Sequence, residues 1–138
     1  MNLSKLGITI FTLSLFSNPL YSQVAVIVHA TNQQALTESD IKNLFTGKLK
    51  SFPDGNPVIV LNLPEGDPNQ SLFNQKVLGR SDAQVKAFWS KLMFTGKGTP
   101  PKEVTAEEMI KLVSENPSTI GIVDSAAVSD KVRVLIQH

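Results

Sequence analysis

The sequence predicts an α/β domain built on a mainly parallel sheet of about four strands with helices on both faces. Three observations predict it. Short runs rich in β-branched residues, Val24–Val28, Val58–Leu61, Thr119–Val123 and Val132–Ile136, alternate with longer segments of helical periodicity. Val24–Val28 and Val58–Leu61 are continuously apolar, the pattern of strands buried on both faces. Most of the helical segments open on a side chain able to cap them and close on glycine.

Val24–Val28 forms the first strand, and the chain turns polar from His29 to Gln34. Thr37 is placed as an N-cap with Asp40 three residues on, and Leu36 and Ile41 sit where a hydrophobic staple joins them. Ile41, Leu44 and Phe45 supply the inner stripe of a short helix. Gly47 ends it in the left-handed position, and Lys48 and Lys50 suit the negative end of its dipole. Ser51–Asn56 carries Pro and Asp-Gly turn chemistry and leads into the second strand. After Asn62-Leu63-Pro64-Glu65-Gly66, Asp67 caps a helix with Pro68 at its first position and Gln70 completing a capping box. Leu72, Phe73 and Val77 face inward there, and Gly79 stops it.

Ser81 with Gln84 starts the most regular helix, in which Val85, Phe88, Trp89, Leu92 and Met93 form one apolar stripe up to Gly96. Thr95–Lys102 reads as a Gly/Pro loop. Thr105 and Glu108, with Val104 and Met109 as staple, open a last helix that runs to Asn116-Pro117. A short turn of helix over Asp124–Val128 separates the final two strands. Leu44-Phe45-Thr46-Gly47-Lys48 and Met93-Phe94-Thr95-Gly96-Lys97 form a near-repeat, which reads as two similar glycine caps.

The first 22 residues read as an export signal: Lys5 is the positive end, Leu6–Phe16 the apolar run and Asn18–Ser22 the turn-prone cleavage region. Cleavage is expected after Ser22. The apolar run is shorter than the roughly 20 residues of a membrane span, so none is expected to remain. Residues 23–138 suffice for one domain with a core of its own. Without Lys5 the 13 basic residues become 12, against 12 acidic ones, so no net field draws the domain to nucleic acid or an anionic membrane. The chain has no cysteine. That excludes disulfides, thiolate metal sites, thiol catalysis and a lipid-modified N-terminal cysteine, and the expected compartment is the periplasm.

Residues for catalysis are scarce. His29 and His138 are the only histidines, and no serine sits in a nucleophile-elbow context, so no enzyme activity, metal or cofactor is expected. Glu107 and Glu108 fall in a first helical turn, where acids favour the dipole. Gly96-Lys97-Gly98-Thr99 lacks the leading glycine and the Lys-Ser/Thr pair of a phosphate loop. Asn69-Gln70-Ser71 fits a glycosylation acceptor by chance at a helix start, and Trp89 on its stripe reads as core. The segment Asn62–Ser71 is the most suggestive. Ligands of open α/β sheets sit beyond the carboxyl ends of strands, where helix N-termini offer free amides. Glu65 and Asp67 nevertheless place negative charge there, and Asp67 as cap takes up the amides.

The order of motifs resembles a known family. Leu36–Ile41 with Phe45-Thr46-Gly47-Lys48, Val58–Leu61 with its loop and helix, and Asn116-Pro117-Ser118-Thr119-Ile120-Gly121-Ile122-Val123 are similar to the second lobe of phosphate-binding proteins of ABC transporters. That lobe has a Leu-x-x-x-x-Ile helix ending in Phe-x-Gly-Lys, a strand followed by an Arg/Asp-Ser-Gly-Thr loop, and a Pro-x-x-Ile-Gly-Tyr strand. The resemblance implies a single-lobe periplasmic-binding-protein type II-like domain over residues 23–138. Two departures stand out. Gly66-Asp67-Pro68-Asn69 replaces the phosphate-binding Ser-Gly-Thr loop and Leu63 its preceding arginine, and this chain supplies one lobe where the family closes two around the ligand.

The implied function is that of a periplasmic solute-binding-type protein related to the phosphate ABC transporter substrate-binding component. Its ligand, a small oxyanion or another solute, is expected at Glu65, Gly66, Asp67, Asn69, Gln70, Ser71, Thr95, Lys97 and Gly98. The alternative is a ligand-free interaction or adaptor module of the cell envelope, with a sensor, a porin or a second copy as partner.

Overall fold

A computed structural model describes residues 23–138; the expected export signal and its expected cleavage lie outside the described residues. Along the chain come β1 (Val24–His29), α1 (Glu38–Phe45), β2 (Ile59–Asn62), α2 (Pro68–Phe73), α3 (Asp82–Phe94), β3 (Lys102–Glu103), α4 (Ala106–Glu115), β4 (Thr119–Asp124) and β5 (Val132–Gln137). The strands form one sheet in the order β3-β2-β4-β1-β5. β2 pairs in parallel with both β3 and β4, while β1 runs antiparallel to β4 on one side and β5 on the other. Four of the five strands therefore point the same way, and the reversed one sits among them. The fold is a mixed α/β sheet of the predicted class.

The continuous apolar runs are where the core is. Val24 to Val28 are buried on both faces of β1, as are Ile120, Ile122 and Val123 of β4. β2 steps outward to β3, and the chain then steps back past β2 to β4. Crossovers between parallel strands are right-handed, and two of them in opposite directions place α2 with α3 on one face and α4 on the other. Gly121 marks the α4 face: a Cβ there would overlap Met109 Sδ, so the missing side chain is what lets α4 lie on β4. Ile120 and Ile122 alternate with it and point to the opposite face. At the end of α2, Phe73 meets Phe45 of α1 with ring centroids 4.6 Å apart.

The caps form at Thr37, Ser81 and Thr105, whose side chains accept from the N–H of Asp40, Gln84 and Glu108; the box expected from Thr105 and Glu108 is one-sided, whereas Asp40 and Gln84 also accept from the N–H of their cap residues. Gly47, Gly79 and Gly96 all take positive φ at helix ends. Three features differ from the sequence reading. The stretch expected to be loop up to Lys102 ends in β3, a two-residue edge strand too short to show periodicity. The second helix widens after Phe73 into a π-helical turn, Asn74–Leu78, closed by Arg80 N–H to Asn74 C=O at 2.9 Å. Of the α3 stripe only Trp89 is buried; Val85, Phe88 and Leu92 are half-buried, and Met93 is exposed. Helical spacing specifies a face but not what lies against it, and α3 reaches the body mainly through the π turn. Among the described residues no helix is long and apolar enough to cross a membrane.

Candidate functional site

Because α3 does not lie flat on the sheet, a hollow remains on each side of it, and the indole of Trp89 is a wall of both. The first hollow, about 480 Å³, opens beyond the carboxyl ends of β2 and β3, where Asn62 and Glu103 end their strands. Its apolar wall is Val85, Trp89, Met93 and Pro100-Pro101. Its polar groups come from the ends of β2 and β3, the loop after β2, α2 with the turn that follows it, and α3.

Those groups are largely committed to one another. Leu63 N–H donates to Gln70 Oε1 at 2.9 Å, Gln70 Nε2 donates to Asn74 Oδ1 at 3.1 Å, and Asn74 Nδ2 donates to Asp82 Oδ1 at 3.0 Å. Ser71 Oγ donates to the other Asp82 oxygen. This chain ties the end of β2 to α2 and α3, and with Gln70 and Asn74 buried its members must be satisfied internally. The Ser71 hydroxyl, and after it the Asn74 amide, hold the Asp82 carboxyl below its ordinary pKa, because both bonds favour the ionised form. Gln70 thus does not complete a capping box. Asp67 N–H already donates to Pro64 C=O at 3.0 Å, leaving the amide of Gln70 to reach Leu63 instead.

The nine residues expected to bind ligand are not gathered in one place. Glu65, Gly66 and Gln70 line the first hollow, whereas Lys97 and Gly98 line the second. Asp67, Asn69, Ser71 and Thr95 line neither. Asp67 caps α2 by accepting from Asn69 N–H at 2.8 Å, and Thr95 Oγ donates back to Lys91 C=O at 2.9 Å. Sequence reasoning missed Asn62, Asp82 and Glu103 in the first hollow and Lys50 and Lys102 in the second. Asn62 had a readable signal, a polar amide ending an apolar strand. Its Oδ1 is buried without a hydrogen-bond partner.

The two hollows differ in charge. Glu65, Asp82 and Glu103 stand in the first against Lys86, whose ammonium is 3.3 Å from Glu65. The second, about 420 Å³, has Lys50, Lys97 and Lys102 and no carboxylate in its lining. A bare oxyanion is repelled in the first hollow and attracted in the second. His29 and His138 lie at opposite ends of the β1–β5 ladder, bonded to Thr31 and Glu38. Among the described residues no group of three or more metal-ligating side chains is assembled.

No protein-family model matches the chain, and no curated protein matches its sequence. Solved structures do match, each over 83% of the chain. A Clostridium perfringens protein assigned as a phosphate ABC transporter substrate-binding protein, with bound phosphate, aligns at a TM-score of 0.63 and 21% identity. PstS from Borrelia burgdorferi aligns at 0.59 and 13%, and an ABC-type phosphate transport receptor from Vibrio cholerae at 0.55 and 15%. This chain spans a little under half of each of them, 44%, 46% and 45% respectively. At these identities the agreement is one of fold: the chain has a single-lobe periplasmic-binding-protein-like fold, the fold of half of a phosphate ABC transporter substrate-binding protein.

Proposed function

We propose that residues 23–138 are a solute-binding-type domain of the periplasm, related to the phosphate ABC transporter substrate-binding component and delivered by removal of residues 1–22. The observation that carries this reading is the agreement of fold, with a hollow at the carboxyl ends of β2 and β3, where open α/β sheets bind their ligands. The domain binds and does not catalyse. Glu65, Gly66 and Gln70, with Asn62, Asp82 and Glu103, form the polar lining at that hollow. Their charge favours a solute that brings donors over a free oxyanion. Calorimetry with phosphate, related oxyanions and small amines tests the reading. Saturable heat from at least one class supports it, and silence from all of them at millimolar concentration ends it.

A second reading is an adaptor that docks on another envelope protein. It is favoured by Phe94, 94% exposed beside Met93 at 49%, since large apolar side chains left in water in company mark contact surfaces. Cross-linking in envelope extract tests it. An adaptor is recovered with one partner that the Phe94→Ser variant loses, whereas a free binder runs alone.

A further inference from the structure

We propose that the lysine-lined hollow between Trp89 and the end of α1 binds a small organic anion, one that joins a phosphate or carboxylate to an apolar body. The hollow's own side chains favour such a ligand whether or not the strand-end hollow binds a solute. Lys50, Lys97 and Lys102 come from three separate stretches: the segment after α1, the loop after α3, and β3. None of the three is ion-paired among the described residues, and no carboxylate lines the hollow. Three ammonium groups around one concavity repel one another, and the focused positive potential draws an anion in.

The floor selects for more than charge. Trp89 is buried, and its six-membered ring lies where a Cβ on Gly47 would meet it at 3.4 Å and one on Gly98 at 3.6 Å. Both loops therefore lie against the indole at contact distance. With Leu92 and Pro100-Pro101 beside it, the result is an apolar floor under a cationic rim, which suits an amphipathic anion better than a bare one. The volume of about 420 Å³ lies within the roughly 300–1,000 Å³ usual for small-molecule sites. The same ligand is turned away on the other side of the indole by Glu65, Asp82 and Glu103.

Trp89 is the only tryptophan in the chain, so its emission reports either hollow, and variants identify which. Phenyl phosphate, benzoate and inorganic phosphate are titrated against the native protein, against Lys97→Gln with Lys102→Gln, and against Glu65→Gln with Glu103→Gln. All four substituted positions are exposed, and circular dichroism confirms that each variant folds. The expected result is a saturable change with phenyl phosphate or benzoate, at least about tenfold weaker in the lysine variant and no weaker in the glutamate variant. Which of the two aromatic anions binds more tightly separates phosphate from carboxylate recognition. Inorganic phosphate is expected to bind more weakly than phenyl phosphate. The proposal is overturned by no saturable change up to millimolar ligand, by affinity unchanged in the lysine variant, or by inorganic phosphate binding as tightly as phenyl phosphate. Amide shifts at Asn62 and Gly66 instead of Gly47 and Gly98 would likewise overturn it, while leaving the strand-end hollow as a binding site.

Discussion

The ends of α1 and α3 carry nearly the same five residues and share a backbone, yet their phenylalanines have opposite surroundings. Thr46 and Thr95 both turn their hydroxyls back onto carbonyls of the preceding turn, to Lys42 at 2.8 Å and Lys91 at 2.9 Å. Gly47 and Gly96 follow at φ 77° and 69°. Phe45 is nevertheless 2% exposed against Phe73, while Phe94 is 94% exposed. A local motif therefore decides how a helix stops, and says nothing of what its last apolar side chain touches.

Replacing each phenylalanine by alanine gives the largest expected contrast. Phe45→Ala should cost about 3–5 kcal/mol, as a buried ring leaves a cavity, and Phe94→Ala should change stability by no more than about 0.5 kcal/mol. Urea denaturation measures both, and equal costs would break the comparison. Next comes the packing that α4 has and α3 lacks. Gly121→Ala sets a methyl against Met109, and overpacking of this kind costs about 1–3 kcal/mol; adding Met109→Ala should recover part of the overpacking loss.

The caps themselves should behave alike. Gly47→Ala and Gly96→Ala each force a Cβ into the left-handed region, a cost of about 1 kcal/mol. Thermal melts showing one of them far costlier than the other would mean that the shared backbone is not what holds these ends. The smallest effect is at the start of α3. Asp82 has its pKa lowered from 3.8 by Ser71 and Asn74, so its contribution to stability is fully present above that value and is lost as pH falls through the lower folded one. Asp82→Asn should be less stable than the native chain at pH 7, and the gap should close towards pH 2. A gap independent of pH would remove the carboxylate as its cause. Because this side chain is exposed, water screens the effect and it should be modest.

Much of the candidate site was illegible in the sequence for a related reason. The loop after β2 could be read as lying at a strand end, and Asp67 as its cap, since both rest on neighbours within a few residues. That Asp82 would receive Ser71 and Asn74, or that Lys86 would reach Glu65, depends on side chains 8 to 21 positions apart. Thr95 and Lys97 are near one another in sequence and were expected to work together, yet one closes a helix and the other lines a hollow.

By itself the sequence determined the α/β class, the helix ends and the strands that fill the core, because capping bonds and apolar runs act over a few residues. The tertiary structure alone decided the reversed direction of β1, the edge strand β3, the solvent exposure along α3, and the sorting of carboxylates and lysines to opposite sides of Trp89. Each of these depends on which distant segments come to lie side by side. That is set by the packing of the whole chain, and no short stretch of it encodes the answer.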